Sequence, residues 1–367
     1  MADPARTPLH DRHVAAGGRM VDFAGFEMPV QYEGGGVIAE HTAVRTAAGL
    51  FDVSHMGEVF FEGPEALRAL DGLVTNDLSA LEDGQALYTV ICNDAGGIVD
   101  DTVIYRFGAD RLMVCVNAAN RAKDYAFLKG RAAGDVRVTD ASDAWGQIAL
   151  QGPRFAAILS PFVPGLADMR PFRFVEAKLA GAACIVATTG YTGERGVEVF
   201  CPAAATGALW DLLLEAGRPH GLRPCGLGAR DSLRLEARMC LYGQDIDDTT
   251  TPIEAGLSWV VKLGKGSFVG RAALLAQKDE GVRRRLVGFE VTGRGIARHG
   301  HGILPADGGA APIGHVTSGT MSPTLGKAIG LGYVPADLAA PGSELAIDVR
   351  GRAVPAVVVK GPFYRSD

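Results

Sequence analysis

The stretch ICNDAGGIVDDTVIY, Ile91–Tyr105, decides how the chain is read. Asn93, Asp94, Ala95, Gly96 and Gly97 form a turn cluster between two β-branched runs, which predicts a hairpin with glycine supplying the positive φ angles. Two carboxylates follow, Asp100 and Asp101. Side chains alternate faces along a strand, so Asp101 shares its face with Val99, Val103, Tyr105 and Phe107, and Asp100 with Ile98, Thr102, Ile104 and Arg106. An unpaired buried carboxylate costs several kcal/mol or changes its pKa, so an acid on the apolar face, Asp101, is a candidate functional group. A structural Asp held by a neighbouring loop fits the same spacing, and the strand pattern leaves both readings open.

Around this hairpin, Leu87–Cys92, Ile98–Phe107 and Arg111–Val116 read as three strands of an antiparallel meander, followed by the amphipathic helix ANRAKDYAFLKGR. Upstream, VIAEHTAVRTAAG predicts a helix ended by Gly49, and Leu50–Phe61 predicts a single strand that carries His55. Downstream the pattern repeats: WGQIALQ and Ala182–Thr189 read as strands, and Glu198 lies in a returning strand on the side of Phe200. The GxxGxxG spacing of Gly190, Gly193 and Gly196 joins two strands, so it reads as a hairpin and not as a nucleotide loop. Gly228–Leu241 predicts a helix with Arg230 on a partly apolar face, where its cation calls for an acid such as Glu198 or Asp231, or for a ligand. After a charged linker, Lys278–Arg285, short apolar runs separated by glycine and proline predict a small all-β barrel or jelly roll. Runs of strands and helices make the fold class α+β, distinct from a doubly wound α/β fold.

The 367 residues allow two or three domains, and 47% hydrophobic with 21% charged residues is the composition of a folded globular protein. A net charge of −6 with scattered Lys and Arg argues against a nucleic-acid surface. The six cysteines are widely spaced in apolar surroundings, form no CxxC pair and read as buried thiols, so no metal site is expected. MADPARTPLHDRH has no apolar signal core, and no run reaches the roughly 18 apolar residues of a membrane span, so the expectation is a soluble cytoplasmic protein with no membrane partner.

Ordered along the chain, DVSHMGE (52–58), NDAGGIVDD (93–101), VNAAN (116–120), TGYTGERGVE (189–198), GLGARDSLRLEA (226–237), LYGQDID (241–247) and TSGTMSPTLGK (317–327) resemble the T-protein of the glycine cleavage system. The resemblance implies a three-domain cloverleaf: two α+β domains with antiparallel sheets and a C-terminal β-barrel around a folate channel. In this sequence that corresponds to an N-terminal region 1–277, made of about 1–50 with 141–277 and of 51–140, and a barrel at 284–363. It implies an aminomethyltransferase that takes its one-carbon unit from the lipoyl arm of an H-protein partner. Tetrahydrofolate is then a consumed co-substrate, with no metal and no nucleotide. By motif, Asp101 is the central catalytic acid, Glu198 and Arg230 anchor the pterin, Met56, Tyr88, Asn117 and Tyr191 line the folate site, and Arg298 faces the lipoyl arm. Asp94 stands where the family often has glutamate, and Thr102 where it often has leucine. The competing readings are a folate-dependent demethylase and a non-enzymatic folate-binding relative. The latter carries cysteine in a KGC-type motif, where this chain has Lys265, Gly266 and Ser267.

Overall fold

The computed structural model describes residues 3–309 and 311–366. Nineteen strands are named among them: β1 (Gly18–Phe23), β2 (Phe26–Tyr32), β3 (Ala48–Asp52), β4 (Gly57–Glu62), β5 (Gln85–Cys92), β6 (Ile98–Gly108) and β7 (Arg111–Val116) come first. Then come β8 (Arg137–Asp140), β9 (Trp145–Gln151), β10 (Phe174–Leu179), β11 (Ala182–Ala187), β12 (Gly196–Pro202) and β13 (Leu222–Pro224). The last six are β14 (Arg284–Val291), β15 (Gly302–Pro305), β16 (Gly314–Met321), β17 (Ala328–Pro335), β18 (Glu344–Asp348) and β19 (Ala353–Val359). Contacts divide the chain into two compact units, the first of residues 1–73, 77–89 and 102–231, the second of 74–76, 90–101 and 232–367.

Besides the two-stranded sheet β1-β2, the first unit is built on two larger sheets. One has the strand order β5-β6-β7-β4-β8, the other β10-β11-β12-β9-β3-β13. Strands β5 and β6 run on by sequence into the second unit at residues 90 and 101. Phe60, Ala86, Tyr105, Met113 and Cys115 from the five-stranded sheet pack against Phe174, Ile185, Ala187 and Phe200 from the six-stranded one. The opposite face of the six-stranded sheet buries Leu50, Ile148, Val197 and Val199 under Phe155, Ile158, Leu209, Trp210 and Leu213 of the helices Phe155–Leu159 and Thr206–Gly217. Both faces of β12 are thus covered, which is why its sequence GVEVFCP is almost continuously apolar apart from Glu198.

In the second unit β14-β17-β16-β15-β18-β19 close into a barrel, filled by Val287, Phe289, Ile303, Val316, Ile347 and Val358. Closure removes the sheet edges that short apolar strands would otherwise expose. The hairpin tip of residues 93–97 belongs to this unit. Asn93 accepts hydrogen bonds at Oδ1 from the amides of Ala95 and Gly97, and Gly96 takes the positive φ of +85°. Gly97 is needed for a different reason: a Cβ there would stand 1.9 Å from the carbonyl oxygen of Asp248.

Several expectations are corrected. Leu50–Phe61 is not one strand, because the turn at residues 53–56 sends β3 and β4 into different sheets, and Gly49 lies within β3 where it was expected to end a helix. The helix Leu227–Glu236 stops short of Leu241, and Arg238 beyond it takes a positive φ of +56° that ends helical geometry. The charged run Lys278–Arg285 is mostly structured, split between the helix Arg271–Glu280 and β14. Strand β10, FVEAKL, has exposed residues on both faces and no strong apolar run, so its pattern does not predict a strand. The strand alternation also misjudged the acids: Asp100 is fully buried and Asp101 is half-buried, because the face of β6 that carries Ile98, Thr102 and Ile104 is covered more deeply than the face that carries Asp101 and Val103.

Candidate ligand site

In the first unit the candidate site is assembled on β9 and β12. Their register sets Glu198 opposite Ala149, two residue pairs from Gln147 opposite Phe200, so both polar side chains emerge on the face that meets the five-stranded sheet. Gln147 donates from Nε2 to Glu198 Oε1 at 3.2 Å, and the Thr189 hydroxyl donates to Oε2 at 2.5 Å. Cys115 donates to the other end of the same amide at 3.7 Å, and the Tyr105 hydroxyl lies 3.3 Å from Thr189 Oγ1. Both carboxylate oxygens of Glu198 are therefore held from the protein side. Burial raises the Glu198 carboxyl above its ordinary range, against the lowering effects of Thr189, Arg230 and Gln147. The carboxyl retains acceptor capacity for a donor edge presented by a ligand.

Arg230 comes from the helix Leu227–Glu236, and its guanidinium carbon sits 4.5 Å from the centroid of the Tyr191 ring. Of the two acids expected to meet its cation, Glu198 feels its charge, which lowers the carboxyl against burial, while the guanidinium stacks on the aromatic face of Tyr191. Met56 packs against the apolar layer between the two sheets. Tyr88 is half-buried on β5, and Asn117 is half-buried immediately after β7. The first unit thus brings together Glu198, Arg230 and Tyr191, with Met56 in the adjoining apolar layer.

In the second unit, Asp101 at the end of the hairpin segment lies close enough to Cys240 to help raise its thiol, after burial and Asp245. Arg298 is exposed on the connection between β14 and β15 and donates to the Gly319 carbonyl at 3.1 Å. The same unit carries a buried pair, Arg234 Nη1 to Asp245 Oδ2 at 2.6 Å, with Asp245 also accepting from Thr317 and Arg234 also donating to Ser318. The register shift in β16 between Val316 and Ser318 supplies these two side chains from consecutive residues.

Sequence reasoning passed over Gln147 and Thr189, whose role becomes visible only through the register of β9 and β12. It also passed over Glu58, which is 1% exposed and whose Oε2 has no hydrogen-bond partner. Burial pushes the Glu58 carboxyl up to about 8, opposed by Arg121 and reinforced by Asp140. His55 is buried beside the rings of Phe23 and Phe26, its Nδ1 has no partner, and burial takes its imidazole down to about 4. The signal in the sequence is parity: Glu58 shares its strand face with Phe60.

The GCVT N-terminal domain model matches residues 9–265, and the glycine cleavage T-protein C-terminal barrel domain model matches residues 284–365. A protein of Rubrobacter xylanophilus named aminomethyltransferase is 54% identical, over 98% of this chain and 94% of that one. One of Halothermothrix orenii with the same name is 47% identical, over 98% and 99%. The crystal structure of the glycine cleavage system aminomethyltransferase T from Bartonella henselae aligns with a TM-score of 0.92 at 35% identity, covering 98% of both chains. Two family models spanning the chain in order, full-length relatives at this identity and a matching α+β architecture with a closed barrel lead to one conclusion: the chain belongs to the glycine cleavage T-protein family.

Proposed function

We propose that the protein is a tetrahydrofolate-dependent aminomethyltransferase. It takes the aminomethyl group from the lipoyl arm of an H-protein and forms 5,10-methylenetetrahydrofolate, ammonia and the dihydrolipoyl arm. The observation that carries this reading is Glu198, a half-buried carboxyl on an otherwise apolar strand, oriented by Gln147 and Thr189 and faced by the charge of Arg230. A carboxyl held this way suits the paired N–H donors of an aminopyrimidine edge, as a pterin presents. Arg230 and Tyr191 then form a stacked wall for the ligand, with Met56, Tyr88 and Asn117 as further lining.

In the reaction the aminomethyl carbon loses its sulfur and its nitrogen substituent in turn, becoming iminium-like each time and being captured by one of two folate nitrogens, whose two protons leave with the thiol and the ammonia. Asp101 is the group assigned to hold and move the proton and to stabilise that positive carbon. Arg298, exposed on the barrel, is assigned to the side on which the lipoyl arm arrives. The division into two interleaved α+β domains, 1–50 with 141–277 and 51–140, followed by the barrel, is part of the same reading, as is a cytoplasmic location. Among the described residues no helix is long and apolar enough to cross a membrane.

The test is turnover of aminomethylated H-protein with tetrahydrofolate, wild type against Asp101→Asn. Wild type is expected to release ammonia and the variant to be slower by 10²-fold or more, the usual worth of a positioned proton-transfer group. No folate-dependent ammonia release by wild type refutes the function. Unimpaired release by the variant refutes only the role of Asp101.

A further inference from the structure

We infer that Arg45 is a positioning residue for the ligand site: from the helix Gly36–Thr46 its guanidinium clamps the β11–β12 connection and thereby fixes Tyr191, the ring on which Arg230 rests. Arg45 Nη1 donates to the Thr192 carbonyl at 2.8 Å and to Glu194 Oε1 at 2.9 Å. The Arg45 and Glu194 side chains are each only 6% exposed, so this is an interior ion pair and not a surface one. A second residue completes the clamp. Gln151 on β9 donates from Nε2 to the carbonyls of Thr189 and Val197, and its Oε1 accepts from the Thr192 hydroxyl at 3.0 Å.

Residues 188–195 connect β11 to β12; backbone bonds to Arg173, Phe172 and Gly152 hold Thr188 and Arg195 at its two ends, and Gly193 turns the chain between them with a φ of +80°. Side chains that reach in from elsewhere add restraints on the stretch between those ends. Gln151 holds both ends of the connection at Thr189 and Val197, and Arg45 with Gln151 holds its middle at Thr192 and Glu194. Tyr191 sits between the held residues Thr189 and Thr192. Loss of the Arg45 fork leaves the carbonyl of Thr192 and the carboxylate of Glu194 without that donor, and the Tyr191 ring loses its fixed place under Arg230. Lysine cannot replace the fork fully, because an ammonium is a point charge and not a planar pair of donors.

That Tyr191 touches folate rests on the function proposed above; that Arg45 fixes Tyr191 does not. The test compares wild type, Tyr191→Ala, the double variant Arg45→Gln with Glu194→Gln, and the triple combination. The double change removes both charges, so no lone buried ion remains. With aminomethylated H-protein and varied tetrahydrofolate, the double variant is expected to raise KM for tetrahydrofolate by on the order of tenfold, the worth of about one charged hydrogen bond, with kcat within threefold. In the Tyr191→Ala background the same change is expected to raise KM no further. Unchanged KM, a fall in kcat alone, or an undiminished effect in the Tyr191→Ala background overturns the inference. Hydrogen exchange supplies the readout that does not depend on folate. Amides of residues 190–196 are expected to exchange at least tenfold faster in the double variant, while those of β9 stay protected; equal exchange also overturns it. If wild type shows no folate-dependent turnover, the functional reading fails and the exchange result alone decides the clamp. Arg45→Lys, measured the same way, serves if the double variant does not fold, with a smaller rise expected in both readouts.

Discussion

Replacing Glu58 by glutamine is expected to change how stability depends on pH. Glu58 is 1% exposed on β4, its Oε2 has no partner, and burial pushes its carboxyl from 4.5 up to about 8. The charges that act on it are Arg121, which favours ionisation, and Asp140, which opposes it; the thiol of Cys201 and the phenol of Tyr105 also feel its charge. Because the folded-state value lies above the unfolded one, the folded protein binds this proton more tightly. The stabilising contribution is complete below about pH 4.5 and is lost as pH rises through about 8. At about 1.4 kcal/mol per pH unit the loss sums to roughly 3–5 kcal/mol, an upper range because the interior relaxes around a forming charge. Glutamine is neutral throughout, so the variant does not carry this penalty. The assay is thermal unfolding of both proteins from pH 5 to 8.5 at constant ionic strength. The variant's Tm minus that of wild type is expected to grow with pH by roughly 4–6 °C, at about 1.3 °C per kcal/mol for a chain of this length. His55, lowered to about 4, acts in the opposite sense by costing stability as pH falls from about 6.5, but it is common to both proteins and cancels in the difference. A difference in Tm that is flat across the range refutes the assignment of Glu58 as a proton-holding interior acid.

Two further outcomes test the second unit. Gly97→Ala places a methyl group 1.9 Å from the Asp248 carbonyl oxygen, so the hairpin tip or the facing loop has to move; a loss of roughly 2 kcal/mol or more is expected in denaturant unfolding, and a loss below about 0.5 kcal/mol contradicts the close approach. Asp245→Ala strands the Arg234 guanidinium, 1% exposed, without its carboxylate, and is expected to destabilise by about 3–5 kcal/mol; the joint change with Arg234→Met recovering a substantial part of that loss is the confirming result, and no recovery argues that Asp245 acts chiefly through Leu241 and Thr317.

The sequence by itself determined the element types wherever one period dominated. The meander from Leu87 to Val116, the helix after Asn120 and the repeated short strands of the barrel are written in apolar spacing and in turn residues at fixed offsets, which act locally. It also singled out Glu198 and Arg230, because a charge among apolar neighbours shows in any alternating or helical pattern. Tertiary structure decided the rest. Alternation predicts which residues share a face but not whether the other face is also covered, so it took Asp101 for the buried acid when Asp100 is the fully buried one. The break at residues 53–56 follows from β3 and β4 joining different sheets, which depends on partners 49 to 102 residues away. Gln147 and Thr189 reach Glu198, and Arg45 reaches Thr192, across separations of 9 to 147 residues. Such contacts are set by strand register and helix packing, and a register exists only once the strands have met.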